Sequence, residues 1–413
     1  MPARRLSAEW VYPVAAPPIT SGAVLVGEDG RILAVGRDAE VPMPPGVLAE
    51  HFPGAVLMPG LVNAHTHLEL TGLAGQVDEL RFDAWISAVR RLKEMRSDED
   101  FRIAARDGVR QCLAAGVTTV AETGDSGAVV QALDELGGRG VVFQEVFGPH
   151  PDQCEDSVAA LASRVAMLET SASDRLRIGV SPHAPYTVSG SLYRAVAALA
   201  RNEGLPMAVH IAESQAEIEF LASGTGPFQE VWRKRGIPLP EPSGDSPISW
   251  LERHGVLHPG LLCIHTVRVD QTDIDLLAAR ECAVAHCPVS NRAHGHGDAP
   301  LRALLDAGIT VGLGTDSEIS ASPTDLLAEA RLAMELAGLS ASEALQLATM
   351  GSADAIGWGE EIGCLEAGRW ADVVVRQPGG AITVDTVAER SLHSTDQDVV
   401  LTIVAGIDRY RRS

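Results

Sequence analysis

Between residues 55 and 350, short β-branched runs alternate with longer amphipathic segments, and few folds accommodate this order. Eight such runs can be counted, from LMPGLVNAH to ITVGLGTDS, with helix-like stretches such as DFRIAARDGVRQCLAAG between them. The pattern predicts parallel strands joined by crossover helices. Because eight β-α units close a barrel, the predicted fold class is α/β, with a (β/α)8 barrel of the TIM type.

Both ends of the chain have a different, β-rich pattern. Residues 20–38 form two alternating runs around Asp29-Gly30, a hairpin signal, and residues 361–413 contain short strands such as ADVVVR and VVLTIVAG. Each end is too short to hold a sound core alone. We therefore expect residues 1–54 and 359–413 to form one small composite β-sandwich domain, built from both termini, beside a barrel over residues 55–358.

Charge and hydropathy limit the partners of this chain. The formal net charge of -22 works against binding a polyanion, so we expect a small-molecule substrate and no nucleic acid. No apolar run has the length of about 20 residues that a membrane helix needs, and the first residues lack a signal-peptide pattern. These features predict a soluble, cytoplasmic protein with no membrane partner, and they leave a homo-oligomer open.

Two further patterns concern the cysteines and one insertion. The six cysteines are scattered without CxxC spacing, which favours reduced thiols and makes structural zinc an unfavoured reading. The stretch from Thr225 to Pro247 is rich in proline and glycine and lies between the fifth and sixth predicted strands. It predicts a loop or lid over the active-site face.

In such barrels the catalytic residues lie at the carboxyl ends of the strands. His65 and His67 end the first predicted strand, and their spacing of two places both side chains on one face of an extended segment. Two imidazoles can then share one cation. Alone, the pair fits a metal-ligand pair and ordinary surface or core histidines about equally well.

Three further strands also end in candidate ligands, namely His210, His265 and Asp316. Alternatives exist for single residues, since His265 could be a buried histidine bonded to backbone and Asp316 could cap a following helix. Imidazoles with one carboxylate suit a borderline divalent ion, and zinc is favoured, with iron as the alternative. Such a site leaves an open position for water, whose pKa the ion lowers toward about 7.

Glu213 follows His210 by three residues, just past the strand end, where its carboxylate can reach a substrate beside the metal. It is the natural candidate for the proton shuttle. The alternative reading is a solvated residue that opens the helix SQAEIEFLA.

With these residues in place, the chain closely resembles the amidohydrolase superfamily, in the branch of cytosine deaminases, chlorohydrolases and S-adenosylhomocysteine deaminases. The resemblance rests on MPGLVNAHTH, SPHAPYT, HIAES, AHCPVSN, GLGTDS and the closing GCLEAGRWADVVV, and it spans nearly the whole length. It implies that His65, His67, His210 and Asp316 bind the metal, that Glu213 is the acid/base, that His265 polarises the attacked group or the hydroxide, and that His183 contacts the substrate.

The number of metal ions follows from a difference between this chain and the binuclear members of the superfamily. Its binuclear members carry a carboxylated lysine at the end of the fourth strand. Here that strand ends in His183, and the only lysines, Lys93 and Lys234, lie elsewhere in the chain. The resemblance therefore implies a single divalent ion.

The implied reaction is deamination of an aminated heterocycle, in which Asp316 accepts a proton from the attacking water and Glu213 protonates the adjacent ring nitrogen. The sequence HTHLEL and the general layout are similar to the aminodeoxyfutalosine deaminases of menaquinone biosynthesis, which act on the 6-amino group of an adenine nucleoside derivative. This favours a substrate of that kind.

Candidate substrate contacts are Glu69 in HTHLEL, Trp85 and Arg292. Trp85, like Phe82, could stack on a heterocycle, although packing of their own helix is the favoured reading for both. Arg292 belongs to RAHGHGDAP, where relatives commonly have a short Leu/Gly/Ser stretch, together with His294 and His296. These three either meet a polar or anionic substrate group at the rim or are solvated loop residues.

Two other functions fit the same pattern. The same hydroxide could dechlorinate a substrate or open a cyclic amide, and only the pocket decides between these reactions. A catalytically silent scaffold protein of the same fold is the alternative from another class. The presence of all four candidate ligands together with Glu213 and His265 favours an enzyme.

Overall fold

The computed structural model describes residues 2–242 and 244–412. Ser243, within the predicted insertion, and the predicted outer limits at residues 1 and 413 lie outside the described residues. The strands are β1 Arg4–Val11, β2 Ile19–Val26, β3 Ile32–Arg37, β4 Leu48–Pro59, β5 Leu61–Thr66, β6 Val117–Gly124, β7 Arg139–Val146, β8 Leu176–Pro182, β9 Ala208–Ile211, β10 Leu262–His265, β11 Ala283–His286, β12 Thr310–Leu313, β13 Val373–Arg376, β14 Val399–Val404 and β15 Ile407–Arg411.

The helices lie mostly between the strands of the central region. They are α1 Phe82–Glu94, α2 Asp98–Ala114, α3 Ala128–Leu136, α4 Cys154–Leu168, α5 Gly190–Glu203, α6 Gln215–Ser223, α7 Gly226–Lys234, α8 Pro247–Arg253, α9 Gln271–Ala279, α10 Pro288–Ala293, α11 Leu301–Asp306, α12 Leu326–Ala337, α13 Ala341–Gln346, α14 Ser352–Ala355 and α15 Val387–Leu392. Among the described residues, no helix has the length and apolar character needed to cross a membrane.

The strands β5 to β12 are the eight runs predicted from the sequence. They form two four-stranded parallel sheets, in the orders β5-β6-β7-β8 and β12-β11-β10-β9. Backbone hydrogen bonds connect the two sheets at both seams, from Asp316 N to His65 O at 3.1 Å and from Val180 N to Pro206 O at 2.9 Å. All residues of β5 and β6 are buried, as expected for parallel strands covered on both faces.

Side chains fill the space inside these strands. One buried cluster contains Val62, Val141, Phe143 and Ile264 together with Trp358, which follows α14. The guanidinium of Arg177 lies 3.6 Å from the ring centre of Trp358. The interior between these strands is therefore a packed core, as in barrels of this type.

Strands from the two ends of the chain lie in one seven-stranded sheet, in the order β15-β14-β13-β4-β1-β2-β3. The junction is the antiparallel pair of β13 with β4, in which Val373 lies opposite Pro59. The hairpin predicted at Asp29-Gly30 is present, since Gly27 N donates to Arg31 O at 2.8 Å. A buried ion pair between Arg139 of β7 and Asp372, at 2.7 Å, connects this sheet to the central strands.

The insertion between β9 and β10 differs from the predicted loop. Residues 226–234 form α7, so the loop prediction was wrong for this part, and α8 begins at Pro247, the last residue of the predicted insertion. The helix forms because Pro227 occupies its first turn and because Phe228 and Trp232, four residues apart, both bury their side chains.

Candidate active site and metal centre

A cavity of about 460 Å³ opens at the carboxyl ends of the parallel strands. Its inner end is lined by side chains from five of these strand ends, namely His67, His183, His210, Glu213, His265 and Asp316. The remaining wall combines aromatic and aliphatic side chains with polar and charged ones. The predicted site residues therefore meet where a barrel of this type holds its ligands.

Three of these residues form a His/Asp cluster with His65 of β5, and the cluster consists of His65, His67, His210 and Asp316. The Nε2 atoms of His67 and His210 are 3.3 Å apart, and Oδ1 of Asp316 lies 3.6 Å from Nε2 of both His65 and His67. Donors placed tetrahedrally at about 2.0–2.1 Å from a zinc ion are separated from one another by about 3.3–3.4 Å. His65, His67 and Asp316 place their potential ligand atoms within 4.8 Å of one another, as do His65, His210 and His265, so this cluster offers donors for an ion.

The protonation states of the three imidazoles also fit a cation. Nδ1 of His210 donates to the carbonyl oxygen of His183 at 3.2 Å, which leaves Nε2 as the unprotonated nitrogen. Nε2 of His65 is buried and has no hydrogen-bond partner among the described residues. Burial lowers the pKa of His65 and lowers that of His67 to about 4, so both rings are neutral at pH 7. A cation at this point would satisfy lone pairs that otherwise face each other.

Two hydrogen-bond donors outside the His/Asp cluster hold the carboxylate of Asp316. Ser290 Oγ donates to Oδ2 at 2.6 Å, and the backbone N–H of Ser317 donates to Oδ1 at 2.7 Å. Burial acts to raise the pKa of Asp316, but the facing imidazoles act more strongly in the opposite direction. The net result is a pKa well below the usual value of an aspartate. The alternative role as a helix cap does not apply, because Asp325 caps the next helix, α12.

Glu213 lies between two imidazoles. Its Oε1 is 3.6 Å from Nε2 of His265 and 3.4 Å from Nε2 of His296. Burial raises the pKa of Glu213, but these two rings outweigh burial and lower the pKa to about 2, so the carboxyl group is ionised. The alternative of a solvated helix-opening residue is excluded, since Glu213 is only 4% exposed and α6 starts at Gln215 with Ser214 as its cap.

Two neighbouring groups fix the geometry around Glu213. Nδ1 of His265 donates to Oδ1 of Asn291 at 3.0 Å, so its Nε2 is the nitrogen that faces Glu213. The carboxyl group of Glu217 accepts the backbone N–H groups of Ala212 and Glu213 at 2.8 and 2.9 Å. Sequence reasoning missed Asn291 and Glu217, although Asn291 belongs to the CPVSN motif that it singled out.

His183 lines the cavity as predicted for a substrate contact. Its Nδ1 is 2.8 Å from Thr187 Oγ1, which donates its own hydrogen to the carbonyl oxygen of Ala184 at 3.0 Å. Nδ1 must therefore be the protonated nitrogen, and Nε2 is left as an acceptor. Burial lowers the pKa of His183 to about 3, which keeps the ring neutral.

Aromatic side chains of α1 form one wall of the cavity. Phe82 and Trp85 both line it, with their rings stacked at a centroid distance of 5.9 Å. Trp85 also packs in a buried cluster with Leu70 and Val89, the favoured reading from the sequence, and its stacking on a heterocycle stays a prediction. His294 meets the Trp85 ring edge-on at 4.5 Å and lines the cavity too.

Two predicted substrate contacts are not among the residues that line the cavity. The carboxylate of Glu69 is buried and lies 2.8 Å from the ammonium group of Lys93. Arg292 forms an ion pair with Asp298 at 2.7 Å on the surface. In each case the charged group forms an ion pair with a neighbouring side chain of opposite charge. The structure therefore does not bring Glu69 or Arg292 to the cavity.

Sequence reasoning also missed several charged residues of the cavity wall, among them Lys93 and Glu145. Lys93 pairs with Asp125 at 2.7 Å in addition to Glu69, and Glu145 lies nearby, where burial raises the pKa of its carboxyl group to about 8. Lys93 lies on α1 and Glu145 near the end of β7. The position of Glu145 near a strand end was the signal that could have indicated it.

The chain is similar in sequence to known proteins over most of its length. The model of the amidohydrolase family matches residues 56–407. A curated relative, the 5-methylthioadenosine/S-adenosylhomocysteine deaminase of Pelotomaculum thermopropionicum, is 30% identical over 402 residues, which cover 92% of this chain and 88% of the relative.

Two solved structures share the fold. An adenosine deaminase from Xanthomonas campestris with bound zinc has a TM-score of 0.84 and 26% identity, over 98% of this chain and 92% of that one. The aminofutalosine deaminase of Helicobacter pylori has a TM-score of 0.85 over 98% of this chain and 99% of that one. Its identity is 22%, so this likeness concerns the fold alone.

Proposed function

This chain belongs to the amidohydrolase family and hydrolyses carbon–nitrogen bonds, and from this premise we propose that it removes the 6-amino group of an adenine nucleoside derivative. The favoured substrate is aminodeoxyfutalosine. A cytoplasmic location and a place in menaquinone biosynthesis belong to the same proposal.

One observation carries the proposal: an ionised, buried carboxylate, Glu213, shares a cavity of about 460 Å³ with the His/Asp cluster. Hydrolytic deamination needs an activated water beside a group that moves protons to the ring nitrogen and the leaving amine. The aromatic wall of Phe82 and Trp85 supplies a surface for a flat heterocycle. The names of the relatives support the same substrate class.

The residues that would hold the ion are His65, His67, His210 and Asp316, because their facing atoms have the spacing and protonation described above. A divalent ion bound there would lower the pKa of a water molecule toward about 7. We propose a single ion, since β8 ends at Pro182, next to His183, and Lys93 is occupied by Glu69 and Asp125. Zinc is favoured by the donor set.

The acid/base steps fall to the chain's own residues. Glu213 is ionised, so it must accept a proton before it can donate one to the ring nitrogen. Nδ1 of His265 donates to Asn291, so Nε2 is the atom through which His265 can exchange a proton with Glu213 Oε1. His183 offers an acceptor to a substrate N–H or O–H group. Asp316 is likewise ionised and can accept the first proton from the attacking water.

The domain arrangement is part of the proposal. We propose a closed (β/α)8 barrel over residues 55–358 and a composite β-sandwich domain from residues 1–54 and 359–413. The hydrogen bonds at both seams between the parallel sheets support the first. The sheet that joins β13 to β4 supports the second.

Ammonia release tests the proposed function. Protein loaded with zinc is offered adenosine, guanine, cytosine and aminodeoxyfutalosine, and we expect ammonia from the adenine nucleosides and most rapidly from aminodeoxyfutalosine. No ammonia from any of the four would overturn the proposal and favour dechlorination or cyclic amide hydrolysis. Metal analysis after purification without chelators should give one ion per chain, and a metal-free protein would favour a silent scaffold.

A further inference from the structure

A second cavity borders the His/Asp cluster. Its volume is about 210 Å³, and its lining includes His67 and Asp316, which also line the main cavity. At about 30 Å³ per molecule, such a volume holds several waters. Two side chains of the cluster therefore border two spaces, and the proposed function uses only one of them.

The second cavity lies on the helix side of β5. Leu61 and Asn63 line it, whereas Val62, which alternates with them, packs inside the parallel strands. The lining extends from Leu61 to Thr66, the two ends of β5, which is a length of about 16 Å at about 3.3 Å per residue. Residues of α2 and of the first turn of α12 form the opposite wall.

The outer end of the second cavity lies at the protein surface. Gln111 of α2, Pro323 before α12 and Asp396 before β14 line it, and all three residues are exposed. The inner end lies at Thr66 and Asp316, which are only 1% and 6% exposed. The second cavity therefore extends from the surface to the His/Asp cluster along a path that the main cavity does not share.

The lining of the second cavity offers partners to small polar molecules. It includes the side chains of Asn63, Thr71 and Thr324 together with the carboxylates of Asp325 and Asp396. Apolar cavities stay dry, whereas water occupies a cavity that provides several polar partners. Ammonia and ammonium can donate hydrogen bonds to the same oxygen atoms. The second cavity is therefore suited to water and to ammonia.

The proposed reaction exchanges these two molecules at the cluster. In each turnover the oxygen of one water replaces the amine on the ring carbon, and the amine leaves as one ammonia. A nucleoside in the main cavity lies between the cluster and the mouth of that cavity. Ammonia formed at the cluster is therefore behind the nucleoside product and needs a second way out if it is to leave first.

We infer that the second cavity is a passage for ammonia and water between the His/Asp cluster and the surface. The inference rests on the proposed function and adds an order of release to it. Ammonia leaves first, along the helix side of β5, while the nucleoside product is still bound in the main cavity. Water reaches the cluster along the same path.

Product inhibition of the full-length, zinc-loaded protein tests this order. Turnover of the fastest adenine nucleoside is followed by the ultraviolet absorbance of its base, with ammonium chloride or the deaminated nucleoside added at constant ionic strength. The product that leaves last competes with the substrate for the free enzyme, whereas the product that leaves first does not. We expect the deaminated nucleoside to inhibit competitively and ammonium to inhibit noncompetitively.

Two variants narrow the passage from opposite walls without altering the cluster. Cys112→Phe adds a ring on α2, and Thr324→Phe adds one on the segment before α12. Ile103→Phe is the matched control, because Ile103 is an exposed residue of α2 that lines neither cavity. The zinc content and the Tm of each variant show whether it keeps its ion and its fold.

We expect both narrowed variants to lower kcat several-fold and to leave kcat/KM unchanged, since ammonia is released after the chemical step. The two inhibition patterns should also exchange, because ammonia then has to wait for the nucleoside product. Ile103→Phe should match the parent in both respects.

Competitive inhibition by ammonium in the parent would overturn the inference, as would parent-like kcat and inhibition patterns in the folded narrowed variants. Equal losses of kcat and kcat/KM would overturn it too, because they indicate damage to the site instead of slower release. If Cys112→Phe does not fold, Thr324→Phe decides alone. The proposed function stands in all these cases, whereas a parent that deaminates no nucleoside refutes both the function and the inference.

Discussion

Ser290→Ala removes one of the two donors that hold Asp316 from outside the His/Asp cluster. Ser290 lies on α10, is fully buried and donates to Oδ2 of Asp316 at 2.6 Å. The other oxygen keeps the backbone N–H of Ser317 at 2.7 Å, so the carboxylate stays in position. We expect a folded protein that binds zinc more weakly.

The size of the loss follows from this single contact. A hydrogen bond to a charged group contributes about 1.5–3 kcal/mol, which corresponds to about a 10- to 150-fold change in a binding constant. Losing a group that orients a metal ligand typically costs about 10- to 100-fold in affinity. We therefore expect the Kd for Zn²⁺ to rise by about 10- to 100-fold. The same hydrogen bond also stabilises the metal-free protein, so its Tm should fall by a few degrees while the protein stays folded.

Competition with a chromophoric chelator at neutral pH measures this Kd, and thermal unfolding of the metal-free proteins checks the fold. Ser391→Ala is the matched control, because Ser391 is a buried serine of α15 whose hydroxyl has no partner among the described residues. Its zinc affinity should equal that of the parent. Tight zinc binding by folded Ser290→Ala would refute the reasoning that Ser290 orients Asp316 as a ligand.

Other substitutions separate metal binding, proton transfer and stability. Glu213→Gln should keep its zinc and lose most turnover, since an amide cannot carry the proton; metal analysis beside ammonia release checks this, and parent-like activity would contradict it. His210→Ala should lose zinc itself, and full zinc occupancy in this variant would exclude His210 as a ligand. His296→Phe removes the ring that faces Glu213 Oε1 at 3.4 Å, so we expect kcat to fall by about 10-fold with KM unchanged, and His296→Gln to restore part of it; equal kcat values would refute this role. Burial raises the pKa of Glu217 from 4.5 to about 8, so the folded protein retains a proton that the unfolded chain releases. That contribution to stability is fully present below about pH 4.5 and is lost as the pH rises through about 8. Tm should therefore fall less between these pH values in Glu217→Gln than in the parent, and identical slopes would argue against a protonated Glu217.

The eight parallel strands could be predicted because their signal is local. Each run is apolar over several residues, and the alternation with amphipathic segments repeats along the chain. The rule that functional residues follow strand ends then indicated His65, His67, His210, Glu213 and Asp316, and the structure places the last four at one cavity with His65 buried beside Asp316.

The partners of charged side chains could not be predicted in this way. Glu69 and Arg292 were expected at the substrate, but Lys93 and Asp298 neutralise them. Glu69 and Lys93 are distant in sequence and meet only because α1 folds back over the strand ends. Arg292 and Asp298 meet because the chain turns after α10. The spacing of apolar residues along the chain does not indicate that either ion pair forms.

The sequence by itself determined which residue types stand at the strand ends, because strand spacing and side-chain alternation are properties of a short segment. Only the tertiary structure decided which charges remain free at the cavity. Arg90 pairs with Glu94 one turn further along α1, a spacing that the sequence displays, whereas only the fold pairs Lys93 with Glu69 and Asp125 and leaves Arg235 unpaired within the described residues. The physical reason is that an ion pair depends on distances of a few Å between groups that different helices and loops bring together.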